Sequence, residues 1–453
     1  MPTSRAAAEA PVASAPNAGR PLAVGLLALQ LVVLALALPA YEGPDEPFHL
    51  GRARVAAGQA LDLHTIDETL LTSLQASPCG PDLQRTAGCP AYGAGSAWWN
   101  ALEPVDAVFG AGSQGASAQR IGNYQIHQPP LYYTAAGVLL RALDGVAGPL
   151  APRHQLVALR LLSVLCVLSG VAWALRRLDV ACGWLLVMLL FLPGAGEALV
   201  RVANDAPLFA WSAGFLLWAR PRTDGSRPHA LGLGAVAAVG PMLKLTAAPI
   251  LVYVAADRLR RGDVRGALAV ALGGAVILPI QIARGWAWGG TLEMAAPGRE
   301  YDTWIEPIVG IAHSAYTFFK TALWLGGWSV VKPPVWILVA AVAVVGAGLV
   351  RARPRIERGS WVWPHLAAGI AATAGFVAFA LGKERLFGVW GAVGGWYFWS
   401  WSPWLMLAWQ ECTRPLERDR PSGDRLWIGG AVTFVLVIGL TWLRSVDAVY
   451  GGV

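Results

Sequence analysis

Apolar segments recur along the whole chain, near residues 22–40, 157–175, 180–196, 206–219, 230–243, 246–256, 266–283, 335–350, 364–381, 398–411 and 426–443. Between them lie short connections rich in arginine. A chain patterned this way has few folds open to it. Inside hydrocarbon every backbone N–H and C=O must find its partner within the chain, and helices do this segment by segment. The first run, Pro21 to Ala40, is twenty residues without a charge, long enough to cross a bilayer once. Over the whole chain 14% of residues are charged, against about 25% in ordinary soluble domains. The fold class expected is all-α and polytopic, with about eleven transmembrane spans.

Basic residues in short connections set orientation. Five clusters stand out: Arg176-Arg177; Arg220, Arg222 and Arg227; Arg258, Arg260, Arg261 and Arg265; Arg351, Arg353, Arg355 and Arg358; and Arg414, Arg418, Arg420 and Arg425. Eleven spans and an internal N-terminus put all five on the cytoplasmic side. The net charge of +7 then has a topological reading, and no nucleic-acid partner is expected. Residues 1–20, rich in Ala, Pro and Ser, are expected to be a disordered cytoplasmic tail. Residues 21–453 form one transmembrane domain with extracytoplasmic loops at 41–156 and 284–333. The stretches 129–148, interrupted by Arg141 and Asp144, and 305–325, interrupted by His313 and Lys320, read as amphipathic helices in the outer interface. Cys79 and Cys89 share the first loop, where a disulfide is plausible. Cys166, Cys182 and Cys412 read as packing residues. Trp98, Trp99, Trp286, Trp288, Trp304, Trp324 and Trp328 in the two loops suit an interfacial belt or sugar stacking.

The placement of charge bears on function. A charge at the bilayer centre costs roughly 2.5–3.5 kcal/mol on the gentlest scale, and ion-coupled transporters accept that cost at a midplane site. Here the ionisable residues collect at outer helix ends instead: Asp45, Glu46, His49, Arg201, Asp205, Lys244 and Arg284. The first of these groups, Tyr41-Glu-Gly-Pro-Asp-Glu-Pro-Phe-His49, sets two carboxylates just beyond the first apolar run, on a turn stiffened by Pro44 and Pro47. Carboxylates and cations at one surface suit group transfer from a lipid phosphate. A carboxylate accepts the proton of an attacking hydroxyl, and a Lys or Arg stabilises the departing phosphate. Plainer readings stay open beside this one. Asp45-Glu46 would serve equally as a helix cap. Arg201 would serve as a headgroup anchor, with Asp205 as its ion-pair partner. Lys244 is harder to dismiss, because a cation among apolar residues usually has an anionic partner.

Pro44-Asp-Glu-Pro-Phe-His49, followed by His127-Gln-Pro-Pro-Leu-Tyr-Tyr133, resembles the GT-C superfamily of integral-membrane glycosyltransferases. The nearest resemblance is to the bacterial membrane family catalogued as domain of unknown function 2142, related to the protein O-mannosyltransferase-like glycosyltransferase family 39. Arg201-Val-Ala-Asn-Asp-Ala-Pro207, Lys244-Leu-Thr246, Trp324-Leu-Gly-Gly-Trp328 and Gly395-Trp-Tyr-Phe-Trp399 extend it in the same order, over most of residues 20–440. At the last motif Trp396 stands where the family often has Arg.

The resemblance implies a GT-C-like fold in the inner membrane of a bacterium, with an extracytoplasmic active site. It implies transfer of a sugar from a polyprenyl-phosphate donor to an extracytoplasmic glycan, lipid or protein acceptor, with inversion at the anomeric carbon. Asp45 would be the catalytic base, and Glu46 would orient it or contact acceptor or metal. His49, His127, Gln128, Tyr132, Arg201, Asp205, Arg284 and Tyr397 would contact substrate, and Lys244 would meet the lipid phosphate. Some relatives bind a divalent metal, for which His49, His127 and the acidic neighbours are the available ligands. Two other classes fit the same residues: a transporter or flippase for a lipid-linked sugar, and a non-catalytic membrane assembly partner.

Overall fold

The structure, a computed structural model, describes residues 19–38, 40–41, 45–63, 66–75, 123, 125, 128–178, 180–220, 228–287, 301–323, 362–387 and 393–417, with residues 336, 339, 343, 437, 440 and 441 of two further stretches. His127, Cys79, Cys89, Trp98, Trp99, Trp288, Trp324 and Trp328 lie outside the described residues, as do the side chains of Arg284 and Trp286.

Among the described residues the chain is entirely helical. In order come α1 (Gly19–Ala37), α2 (Glu46–Ala57), α3 (Glu68–Gln75), α4 (Leu131–Ala147), α5 (Pro152–Leu175), α6 (Val180–Leu190), α7 (Pro193–Val200) and α8 (Asp205–Trp218). Then follow α9 (Ala230–Leu243), a 3-10 turn (Leu245–Ala247), α10 (Ala248–Arg260), α11 (Val264–Ala275), α12 (Ile277–Ala287), α13 (Ile305–Leu323), α14 (Val362–Phe387), α15 (Trp396–Trp399) and α16 (Ser402–Glu417).

Local chemistry explains several boundaries. Pro152 opens α5 at a position where its missing N–H costs nothing. Asp263 caps α11 by accepting from Gly266 N–H at 2.8 Å. Gly58 closes α2 in the left-handed region, at φ 74°. The apolar stretch 180–196, read as one segment, is instead bent by 75° between Leu190 and Pro193, because Pro193 starts a new helix after extended Leu192.

Apolar side chains face outward from the helices as well as filling the core. Leu22, Leu26, Leu29, Val33 and Leu36 are exposed along one face of α1, and Val264, Leu268, Leu272 and Val276 along α11. Arg160, Arg201 and Arg258 are among the largest fully buried side chains. Hydrocarbon outside and polar groups inside is the order a bilayer imposes. Among the described residues three helical stretches are long and apolar enough to cross one: Pro152–Leu175, Val264–Ala283 and Val362–Gly382, or up to four if the bent pair counts as a span. The segments at 206–219, 230–243 and 246–256 form helices of 14, 14 and 13 residues, each about 20 Å long. That is shorter than the roughly 30 Å hydrocarbon core.

The helices share an axis with two chemically distinct ends. At one end Arg258 donates to Ala219 O, Arg220 pairs with Glu411 at 2.6 Å, and Glu411 meets His365 at 2.9 Å. These bonds gather the C-terminal ends of α8 and α10, the start of α14 and the far end of α16. At the other end lie the start of α8 with Asp205, the end of α9 with Lys244, and the start of α16, where Trp401 donates to Thr246 O at 2.7 Å. Arg54, on α2, reaches Gln155 at the start of α5 at 2.7 Å, so α2 lies toward this second end. A cysteine at Leu61, beyond α2, and one at Val264, beside the arginine cluster, should therefore react with an impermeant maleimide from opposite sides of sealed vesicles. Labelling of both from one side would contradict the two-ended arrangement.

Candidate functional site

Asp45 and Glu46 are adjacent in sequence but not in role. Neighbouring residues at a helix start point about 100° apart, so they cannot face one another. Asp45 sits at the N-cap position of α2 with φ 65° and makes no side-chain capping bond. Its backbone carbonyl accepts from Phe48 N–H and His49 N–H instead. Asp45 and Tyr41 are the non-glycine residues with positive φ among those described. Aspartate tolerates this region better than most residues, though at a cost of roughly 1–2 kcal/mol.

The Glu46 carboxylate is turned toward α5. It is fully buried and engaged on both oxygens. Arg160 donates through Nε to Oε1 at 2.8 Å and through Nη2 to Oε2 at 2.6 Å. The backbone N–H of Val202 donates to Oε1 at 2.9 Å. Arg160 also reaches Leu38 O at 2.7 Å. One turn further along α5, Ser163 donates to Arg201 O at 3.2 Å. The face of α5 thus ties together the end of α1, the turn carrying Asp45 and the turn carrying Arg201.

That second turn ends in Asp205, which is fully buried and bridges two cations. Arg201 Nη2 lies 2.6 Å from Oδ2, and Lys244 Nζ lies 2.6 Å from Oδ1. The pairing with Arg201 is an i,i+4 contact, and the pairing with Lys244 joins α8 to the break after α9. Lys244 is extended, at φ −163°, which ends α9 and turns the side chain back toward α8. Asn204 holds the same break from below: its Nδ2 donates to Leu243 O at 2.8 Å and to Gln128 Oε1 at 3.3 Å. Two aromatic residues cover the cations. Trp396 lies 5.1 Å from the Arg201 guanidinium and Tyr397 lies 4.3 Å from Lys244 Nζ. Trp396 therefore serves as a platform for Arg201.

The Asp45 carboxylate acts electrostatically on Arg201, Lys244, Tyr133 and Tyr397. The acidic residue of the first loop and the mid-chain lysine thus share one neighbourhood. His49 and Arg52 continue the Asp45 face of α2 at helical spacing. His49 Nδ1 and the Tyr133 hydroxyl share a 2.6 Å hydrogen bond, and Arg52 lies 4.0 Å over the Tyr133 ring. Tyr132 is buried with its hydroxyl near Glu46 and Asp205, and no hydrogen-bond partner for that hydroxyl is found among the described residues.

Of the residues expected in the site, Asp45, His49, Gln128, Tyr132, Arg201, Asp205, Lys244 and Tyr397 come together. Arg160, Ser163, Asn204, Trp396 and Arg52 join them without having been expected there. Among the described residues no group of three or more His, Cys, Asp or Glu side chains is placed to hold a metal ion, and three of the candidate ligands are engaged by protein partners. Glu46 is taken by Arg160 and Val202, Asp205 by two cations, and His49 Nδ1 by Tyr133.

No family model, no curated protein and no solved structure matches the chain.

Removing one partner of a buried ion pair leaves the other charge stranded, at a cost of about 3–5 kcal/mol. Arg160→Met should therefore lower the thermal midpoint strongly, and Glu46→Gln with Arg160→Met should lower it by less than the two single changes summed. Additive losses in a thermal unfolding series would show that the clamp is not a unit.

Proposed function

We propose that this chain is a polytopic membrane glycosyltransferase of GT-C-like architecture, with about eleven spans. It takes a sugar from a polyprenyl-phosphate donor to an extracytoplasmic glycan, lipid or protein acceptor. The proposal sets it in the inner membrane of a bacterium, with the arginine end cytoplasmic.

One observation carries the reading. A carboxylate that does not cap its own helix is held in a left-handed turn, within electrostatic reach of the Arg201–Asp205–Lys244 network. Positive φ at a residue other than glycine persists where the surroundings enforce it, and such sites concentrate at functional centres. The surroundings here are named: the Glu46–Arg160 clamp immediately after Asp45.

In this reading Asp45 is the general base. It accepts the proton of the acceptor hydroxyl as that oxygen bonds to the anomeric carbon. The bond from that carbon to the phosphate oxygen breaks on the opposite face, which inverts the configuration. The lipid phosphate departs with the electron pair, and Lys244 meets its charge. Asp205 keeps Lys244 and Arg201 in place while the site is empty and offsets one of their two charges. The helices that carry Asp205 and Lys244 are about 20 Å long from the arginine end, so the site is recessed below the outer surface of a bilayer. A lipid-borne donor suits such a depth, since its phosphate lies at the boundary of its own hydrocarbon tail.

General-base catalysis contributes about 10²–10⁴-fold, so Asp45→Asn should reduce transfer by that factor while leaving the thermal midpoint and donor binding nearly unchanged. Lys244→Met should weaken retention of a co-purified polyprenyl-phosphate sugar, read by mass spectrometry of the detergent-solubilised protein. Full activity of Asp45→Asn would overturn the assignment. Donor translocation across vesicles with no product formed would support the carrier reading instead.

A further inference from the structure

Tyr397 and Trp396 are consecutive, and each covers one of the two cations that share Asp205. The segment that bears them is fixed from several sides. Trp401 Nε1–H donates at 2.7 Å to the carbonyl of Thr246, two residues beyond Lys244. Gly395 N–H donates to Thr321 Oγ1 on α13. Gly395 has no room for a side chain, because a Cβ there would stand 2.0 Å from Phe318 O and 2.2 Å from Ala322 N. Phe379 of α14 braces the Tyr397 ring edge-on, with centroids 5.6 Å apart. Lys244 Nζ sits over the Tyr397 ring, 4.3 Å from its centroid, so the ring face is what meets the amine.

An ammonium group carries three N–H donors. At Lys244 one reaches Asp205 Oδ1 at 2.6 Å, and the ring of Tyr397 occupies a second direction at 4.3 Å. No partner for the third is found among the described residues. We infer that Tyr397 is a positioning residue that acts through Lys244: its ring holds the ammonium against Asp205 and leaves a single N–H to direct an incoming anionic oxygen. The anion in this statement rests on the lipid-phosphate reading above, whereas the hold on the amine does not.

The chain has four lysines: Lys244, Lys320, Lys332 and Lys383. The rate at which each is acetylated by acetic anhydride can therefore be followed peptide by peptide on the full chain in detergent, with the other three as internal references. A cation–π contact in a desolvated site supports an effect of about fivefold or more, so Tyr397→Leu should speed acetylation of Lys244 by that factor. Tyr397→Phe keeps the ring and should stay within about twofold of the parent rate. Equal acceleration in both variants, or none in Tyr397→Leu, overturns the proposal. If Tyr397→Leu does not fold, Trp401→Phe is the second arm, since it removes the N–H to Thr246 O and keeps an aromatic ring against the core. It should accelerate the same lysine by about threefold, and an unchanged rate overturns the proposal. The readout is the amine itself, so a failure here is distinct from a failure of donor binding or transfer.

Discussion

The two-toothed bond from Arg160 to Glu46 is the contact on which the rest of the site depends. Both side chains are withdrawn from solvent, where an unpaired charge would be untenable. The pair closes a ring of further bonds: Arg160 to the end of α1, Glu46 to the amide after Arg201, and Ser163 to the carbonyl of Arg201. Asp45 precedes one partner and Arg201 precedes the other amide. The geometry between the carboxylate of the first turn and the cations of the second is therefore set by one face of α5, not by the long connection between them.

Around this clamp each named cation has a carboxylate beside it. Glu46 balances Arg160, and Asp205 is shared by Arg201 and Lys244. Aromatic faces cover the two cations that share Asp205. In a water-poor site such pairing lowers the cost of keeping ions buried, and it also pre-positions them, since an ion already held by fixed partners needs little rearrangement when a substrate charge arrives. The opposite end of the bundle shows the same economy in Arg220, Glu411 and His365, but there the groups join helix ends and line no equivalent of Asp45.

Much of the helical content was legible in the sequence, because apolar runs without charge leave little alternative. The helices at 131–147 and 305–323 were legible from their mixed character. Other features were hidden for identifiable reasons. Arg160 lies inside an apolar run, and its partner is 114 residues away; an arginine so placed was a signal that a buried carboxylate had to exist, though not which one. The Arg201–Asp205 pair could be read from its i,i+4 spacing. The tie from Asp205 to Lys244 spans 39 residues and depends on how α8 and α9 pack. Glu46 shared the motif of Asp45 and was assigned a share of its chemistry, but the helix rotates adjacent side chains apart. Trp396 looked like a lost cation. It is a ring that carries one, which only the approach of α15 to Arg201 reveals.

The central claim is that the Asp45 carboxylate and the Lys244 amine share one neighbourhood, within electrostatic reach of each other. It is tested most directly by replacing both with cysteine in a background lacking the native cysteines, and treating the folded protein with a short bifunctional methanethiosulfonate reagent. The account predicts an intramolecular cross-link between positions 45 and 244, identified in the joined peptides by mass spectrometry, that disappears when Arg160 is also replaced by Met. Two separately modified cysteines with no joined peptide, in protein that remains folded, would contradict it.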